Sequence, residues 1–432
     1  MHRLLLIVTT ASYRAGAFLE AAGRLGVTVV VGSERPLALA AANPQGSLTL
    51  DPAAVDPAVR EVVGFAARHP IGAVVAADDD GVILAATAAA ALGLRHATVN
   101  AVAAARDKHR MREILAASGI PSPRFARLPI AGDPREAARR VGFPCVLKPL
   151  ALSASRGVMR ADDEPQLMAA FERLARLLSR PEVAAQGGAA ARHVLLESYI
   201  PGVEVALEGL LSGGRLRVLA LFDKPDPLEG PVFEETIYVT PSRLPIPAQQ
   251  AIATATAEVA GALGLDEGPI HAELRMNEQG PWMIEIAPRS IGGLCSRTLR
   301  FGAGVSLEEL ILRHALGLEI ESYERERGAA GVMMIPIPRA GVLRAASGQA
   351  QAREVAGIEE IRITVPIGQE VVPLPEGARY LGFIFARGQT PQSVEDALRA
   401  AHHRLAFDIA PPPAARGGGE ATPEPQRRAQ RW

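Results

Sequence analysis

Cysteine is scarce: only Cys145 and Cys295 occur in 432 residues, and they stand far apart. That rules out a disulfide framework and leads us to expect reduced thiols in a cytoplasmic enzyme. Neither sign of charge is in excess, since 46 lysines and arginines against 47 aspartates and glutamates leave a formal net charge of −1. A near-neutral chain argues against a nucleic-acid or anionic-membrane partner. No apolar run is long enough to span a bilayer. The N-terminal LLLIV is short and lacks a small-residue cleavage pattern, so it reads as a buried strand and not a secretion signal. A GxGxxG fingerprint is also missing, because the turn after the first strand reads TTASYRAGA. Its absence disfavours a nicotinamide dehydrogenase.

What is present is a chain with 48% hydrophobic residues, enough for two or three domains, each with a core. Over residues 1–105, strand-like and helix-like stretches alternate (LLLIVTT, AGAFLEAAGRLG, VTVVVGS, IGAVVAADDD), which predicts an α/β domain on a parallel sheet. The acidic AADDD closes a strand, so Asp78 to Asp80 are placed either to meet a substrate amine or to cap a helix. The helix DKHRMREILAASG and a PSP turn then lead into a smaller α+β region, which is expected to end near a loop at 184–191. Strands and helices alternate again to about residue 318. A third region, Gly331 to Pro411, has short strands (VMMIPI, IRITVPI, YLGFIFA) and one amphipathic helix, and reads as an α+β module. The end, PPPAARGGGEATPEPQRRAQRW, is Pro/Gly-rich and charged, so residues 412–432 are expected to be a disordered tail. Cys145, in FPCVLKP, reads as core; Cys295 has no evident base partner, which counts against a nucleophile.

The stretch HAELRMNEQGPWMIEIAPR, residues His271 to Arg289, holds two apolar runs around a polar turn, each run with one glutamate. Glu278, Gln279 and Gly280 suit a three-residue hairpin loop, which pairs Asn277 with Pro281. Glu273 then lies opposite Glu285 on one face, with Ala272, Leu274, Ile284 and Ile286 on the other. Opposed carboxylates repel unless a cation sits between them, and a hard divalent ion suits their oxygens. The alternative is a solvated polar face with Arg275 as counter-ion.

Three further stretches suit a nucleotide. VLKPLALSASRGV puts Lys148 at a strand end, followed by small residues whose amides and hydroxyls can approach phosphate oxygens. HVLLESYIPGVEVALEGL gives two strands about a Pro-Gly turn, with Glu204 and Glu208 on one face; a strand edge can bond an adenine and a carboxylate a ribose. Lys108 supplies another cation.

In this order the stretches resemble the ATP-grasp superfamily of carboxylate-amine ligases, over about residues 106–320, behind the α/β domain such enzymes keep in front. The resemblance implies a two-lobed fold, with a small lobe over about 120–196, a large lobe over about 197–320 and a C-terminal ligase module over 321–411. It implies that Lys108 and Lys148 contact ATP phosphates and that Ser153, Ser155, Gly157 and Val158 belong to a flexible lid loop. Glu197, Tyr199 and Ile200 would form the adenine hinge and Glu204 would hold the ribose. Glu273 and Glu285 would bind two Mg²⁺ ions, with Mn²⁺ as an alternative, and Arg289 would face the acyl phosphate. One departure stands out: the pattern often has asparagine where this chain has Ala287.

Within the superfamily, DKPDPLEGPVFEETIYVTPS followed by APRSIGG, and a final region with GVL and YLGFIFARG, look like the L-amino acid ligases that form dipeptides. The resemblance implies small-molecule carboxylate and amine substrates and leaves a homodimer open. The alternative for DKPDPLEGP is an ordinary acidic surface loop. The rival readings are an ATP-grasp ligase or carboxylase for a non-amino-acid substrate, and a non-catalytic nucleotide-binding regulator.

Overall fold

The computed structural model describes residues 3–10, 12–36 and 45–411. The expected tail lies outside these residues. Among the described residues, no helix is long and apolar enough to cross a membrane.

Strands Ser47–Thr49, Thr28–Ser33, Arg3–Ile7 and Ala73–Ala76 form, in that order, a parallel sheet. Its first strand in sequence is buried on both faces, which is why it reads as a continuous apolar run. Leu4 and Leu6 pack against Phe18 and Ala22 on one side, while Leu5 and Ile7 meet Val62 and Leu84 on the other. The chain runs outward to one side after Arg3–Ile7 and returns on the other at Ala73–Ala76. The carboxyl ends of these two neighbours therefore flank a topological switch point, the crevice where such sheets bind ligands. Tyr13 and Arg14 follow the first strand, and Asp78 to Asp80 follow the second.

The smaller region is a four-stranded antiparallel sheet ordered Phe125–Pro129, His193–Ser198, Cys145–Pro149, Met159–Ala161. Leu147 and Leu196 from the sheet meet Leu167, Phe171 and Leu174 of the helix Glu164–Leu178, and Cys145 is part of this core. The expected loop at 184–191 is instead the helix Pro181–Gly187 and a 3-10 turn, Ala190–Arg192. Pro181 presets the first helical φ and the alanines that follow are good helix formers, a local preference that outweighs the terminal glycines.

The largest element is an eight-stranded antiparallel sheet, ordered Gly280–Ala287, Gly268–Asn277, Val203–Ser212, Arg215–Asp223, Ile237–Thr240, Ala329–Ile335, Gly382–Gly388, Ile358–Ile363. Its last three strands are those read in sequence as a separate module. They continue the sheet of the large lobe without a break, because Ile237–Thr240 pairs directly with Ala329–Ile335. A small sheet of Glu370–Val371, Gly341–Ser347 and Ala406–Ala410 completes this end.

The hairpin turn is shorter than expected. Asn277 pairs with Gly280, leaving two residues in the turn, and Met276 rather than Asn277 pairs with Pro281. The register then shifts by one between Glu273 and Leu274, so Ile284 is an extra, bulged residue and Glu273 still pairs with Glu285. The bulge changes one side chain's assignment. Met283, not Ile284, joins Ala272, Leu274 and Ile286 in the core, whereas Ile284 lines the cavity beside Glu285.

Candidate active site

One cavity of about 320 Å³ lies where the switch point, the small lobe and the large sheet meet. Lys108, Lys148, Ser153, Ser155, Val158, Glu197, Tyr199, Ile200, Glu204, Glu273, Glu285 and Arg289 all line it. Gly157 does not. It shapes the loop from outside, with φ +78° and a position where a Cβ would come 2.8 Å from Leu174 Cδ1. Ala154 and Ser155 are also left-handed, at φ 56° and 53°, a conformation non-glycine residues adopt only when their surroundings impose it. Here the Gly157 amide donates to the Pro375 carbonyl at 2.8 Å and Arg156 Nε to the Glu376 carbonyl at 3.0 Å. The loop is thus fastened to the C-terminal region.

Lys148 leaves the end of its strand buried, 2.6 Å from Glu197 Oε2, while Arg112 Nε donates to Glu197 Oε1 at 2.6 Å. Burial alone would raise the Glu197 pKa, but the Arg112 guanidinium and the Lys148 ammonium outweigh it and hold the carboxyl at about 2. Arg112 also donates to the Met283 and Ile284 carbonyls at 2.9 and 2.8 Å, tying this cluster to the bulge. Glu197 therefore anchors Lys148, and Ser198, Tyr199 and Ile200 beyond it line the cavity. Lys108 Nζ donates to the Leu152 carbonyl at 3.0 Å and lies 3.1 Å from Glu285 Oε2, joining the loop to the hairpin.

The opposed glutamates do not form a solvated face. Their side chains are 18% and 26% exposed, within the cavity, and Arg275 contacts neither of them. Arg275 instead donates to Glu204 Oε2 at 2.9 Å and to the Ile200 carbonyl at 2.8 Å. Lys224 Nζ lies 3.0 Å from Glu273 Oε1 and 2.8 Å from Glu204 Oε1. Burial would raise the Glu273 pKa, yet Lys224 and His271 pull it well below the usual range. His271 stands opposite Ala287, with Nδ1 2.5 Å from Glu208 Oε1. Burial would lower its pKa, but the Glu208 carboxylate outweighs burial and raises it to about 9. Glu235 also reaches Lys224; burial, reinforced by Glu273, lifts its carboxyl to about 7.

Arg289 lies just past the strand end, with Nη2 2.7 Å from Asp79 Oδ2 and Nη1 3.0 Å from the Ser290 carbonyl. Burial opposes ionisation of both partners, but their mutual attraction keeps Arg289 protonated and Asp79 well below the carboxylate range. Arg106 adds to the pair from 3.3 Å. Asp79 thus orients Arg289, neither capping a helix nor standing free for an amine, and Asp80 bonds Gln186 at 3.1 Å. Asp78, by contrast, keeps a buried oxygen without a hydrogen-bond partner among the described residues, at the cavity wall.

Beyond Arg289 the cavity continues between Tyr13, Asp78, Glu235, Cys295, Met334 and Tyr380. Burial pushes the Cys295 thiol up, against a nucleophile. Sequence reasoning missed most of these residues. Lys224 and Glu235 fall in the singled-out DKPDPLEGPVFEE, and Tyr13 follows the first strand, where the switch-point rule would have looked. Tyr380 opens the singled-out YLGFIFARG, whereas Met334 carries no local signal.

A two-lobed fold that holds lysines, a small-residue loop and opposed carboxylates around one cavity defines a nucleotide-grasping class of protein. Three family models match in succession: ATP-grasp N-terminal domain over residues 19–96, ATP-grasp domain over 141–298, and L-amino acid ligase C-terminal domain 2 over 333–410. The chain belongs to the ATP-grasp superfamily. It is 29% identical over 266 residues to an alanine–anticapsin ligase of Bacillus amyloliquefaciens, covering 59% of this chain and 56% of that one. It is 31% identical over 191 residues to a D-alanine–D-alanine ligase of Aromatoleum aromaticum, covering 44% and 57%. The matched stretches thus span little more than half of these curated relatives. Among solved structures, an L-amino acid ligase from Bacillus licheniformis superposes with TM-score 0.79 at 24% identity, over 95% of this chain and 99% of that one. A phosphoribosylglycinamide synthetase from Anaerococcus prevotii gives 0.67 at 15% identity, over 95% and 100%. At these identities the likeness concerns the fold.

Proposed function

We propose that this chain joins the carboxylate of an amino acid to an amine, in a dipeptide-forming reaction driven by ATP through an acyl phosphate. The observation that carries the reading is the continuous cavity, which runs from the Lys148 and Glu285 end past Arg289 to a compartment walled by the N- and C-terminal regions. The lining thus draws side chains from all three regions of the chain around the same space, where a nucleotide and further substrates would meet.

In this reading a carboxylate oxygen attacks the γ-phosphorus and ADP leaves. The amine nitrogen, having lost a proton, then attacks the acyl carbon, and phosphate departs with the original carboxylate oxygen. Lys108 and Lys148 neutralise phosphate charge; Glu197 and Arg112 keep Lys148 aimed. Tyr199 and Ile200 hold the adenine with backbone groups, and Glu204 holds the ribose. Ser153, Ser155 and Val158 close over the phosphates and exclude water, with Gly157 setting the loop's shape. Glu273 and Glu285 fit a Mg²⁺ site, since both are hard oxygen donors exposed only to the cavity. The ions would supply charge neutralisation at the β- and γ-phosphates. Arg289, oriented by Asp79, offers a fork to the acyl phosphate and the tetrahedral intermediate. The unpartnered Asp78 oxygen suits a substrate ammonium.

A screen of amino-acid pairs for phosphate release tests this. ADP and phosphate should form only when a carboxylate and an amine partner are both present, with an amide as product. Turnover dependent on biotin and bicarbonate, or nucleotide binding without ADP formation for every pair, would contradict it.

A further inference from the structure

The chemistry above gives Lys224 no task, although its surroundings are the most charged in the cavity. The residue follows the strand Arg215–Asp223, and its place is rigid. Asp223 accepts from Ser242 Oγ at 2.5 Å and from the Arg243 amide and Nε at 2.9 and 3.0 Å, while the Lys224 amide donates to the Glu204 carbonyl at 3.3 Å. The side chain is 3% exposed. Its ammonium lies 2.8 Å from Glu204, 2.5 Å from Glu235 and 3.0 Å from Glu273. An ammonium has three N–H donors, so these carboxylates use all of them and none is left for a phosphate.

The same three glutamates present carboxylate oxygens within 4.8 Å of one another. Three hard oxygens so close would attract a divalent ion if nothing neutralised them. The lysine does so. Charge around the hairpin pair balances in the same way: Glu285 has Lys108 at 3.1 Å and Glu273 has Lys224 at 3.0 Å. A divalent ion arriving alone meets two carboxylates already matched by two ammonium groups, and only nucleotide phosphates add the missing negative charge.

We propose that Lys224 is the resident cation of the Glu204, Glu235 and Glu273 cluster: it positions Glu204 and Glu273 and keeps divalent ions out, so that metal enters only together with nucleotide. The proposal rests on the reading of Glu273 and Glu285 as metal carboxylates. Lys224 is a positioning residue, touching neither reactant. Ordered entry spares the site an ion in the wrong place, on the Glu204 side of Glu273.

Mn²⁺ binding to the full chain, followed by the loss of the free-ion paramagnetic signal, tests this with and without a non-hydrolysable ATP analogue. Wild type should take up Mn²⁺ beyond what the analogue binds, and essentially none without it. Lys224→Met should gain about one nucleotide-independent Mn²⁺ per chain, bound on the order of 10-fold or more tighter than by wild type, once the like charge is gone. Lys224→Arg should behave as wild type, and adding Glu235→Gln to Lys224→Met should abolish the gained site. If Lys224→Met is unfolded alone, Mn²⁺ without nucleotide should restore its melting transition. No gained site in a folded Lys224→Met, no rescue of an unfolded one, or the same gain in Lys224→Arg overturns the proposal. Wild type binding Mn²⁺ equally with and without the analogue overturns it while leaving the metal carboxylates standing. Wild type binding none even with the analogue removes that underlying reading as well.

Discussion

Replacing Arg289 by lysine keeps a positive charge beside Asp79 but removes the planar fork. In the structure the two ends of that fork are separately engaged, with Nη2 2.7 Å from Asp79 Oδ2 and Nη1 3.0 Å from the Ser290 carbonyl. A lysine ammonium carries its donors on one nitrogen, so it cannot span both contacts and still present a planar pair of donors to a reacting oxygen. Asp79 keeps Arg106 at 3.3 Å, so the substitution leaves no bare buried carboxylate. The melting temperature should therefore move by no more than about 5 °C. Loss of one preorganised donor to developing charge costs about 3–4 kcal/mol, or ~10²–10³ in kcat. Affinity for ATP, which draws on Lys108, Lys148 and the hinge, should change less than ~3-fold. Both quantities are to be read on one preparation, as ADP release with a productive amino-acid pair and as equilibrium binding of an ATP analogue. A kcat within about 5-fold of wild type would refute the assignment of Arg289 to the transition state.

Glu285→Gln should keep the fold yet lose at least ~10² in rate, because one carboxylate cannot neutralise and orient the metal alone; unchanged turnover at saturating Mg²⁺ would contradict the metal site. Hydrogen exchange over Ser153 to Val158 should slow when ATP and Mg²⁺ are added, and equal protection in both states would count against a lid. Glu197 carries a pH signature. Its folded pKa of about 2 lies below the ordinary 4.5, so its contribution to stability is whole above about pH 4.5 and is lost as the pH falls towards 2. Urea midpoints measured down this range should fall more steeply for wild type than for Glu197→Gln, and equal slopes would mean that the Arg112 and Lys148 pairing does not stabilise the fold.

How much of this was legible in the sequence depended on whether the cause was local. The parallel sheet could be read because strand-like and helix-like stretches alternate along residues 1–105, the pattern of strands joined by crossover helices. The opposed glutamates could be read because one face of the hairpin is core, which fixes side-chain alternation. The turn length could not: Gly280 adopts a positive φ of 105°, as it would have in the longer turn, and the bulge at Ile284 cancels the error before Glu285 is reached. Lys148 and Arg289 stand near or just past a strand end, Glu273 and Glu285 stand within paired strands, and each was placed by its neighbours in sequence. The partners that aim them were not. Asp79 reaches Arg289 from the N-terminal sheet, Arg112 reaches Glu197 from a preceding helix, and Lys224 gathers glutamates from three separate stretches. Such contacts depend on how the lobes close, and no periodicity or turn signal encodes that.

The acyl phosphate is the central claim, and oxygen transfer tests it most directly. With a productive pair whose carboxylate oxygens carry ¹⁸O, the attacking oxygen stays on phosphorus when the amide forms. Mass spectrometry of the released phosphate should then show about one labelled oxygen for every amide bond made. Amide formation with unlabelled phosphate would contradict the mechanism.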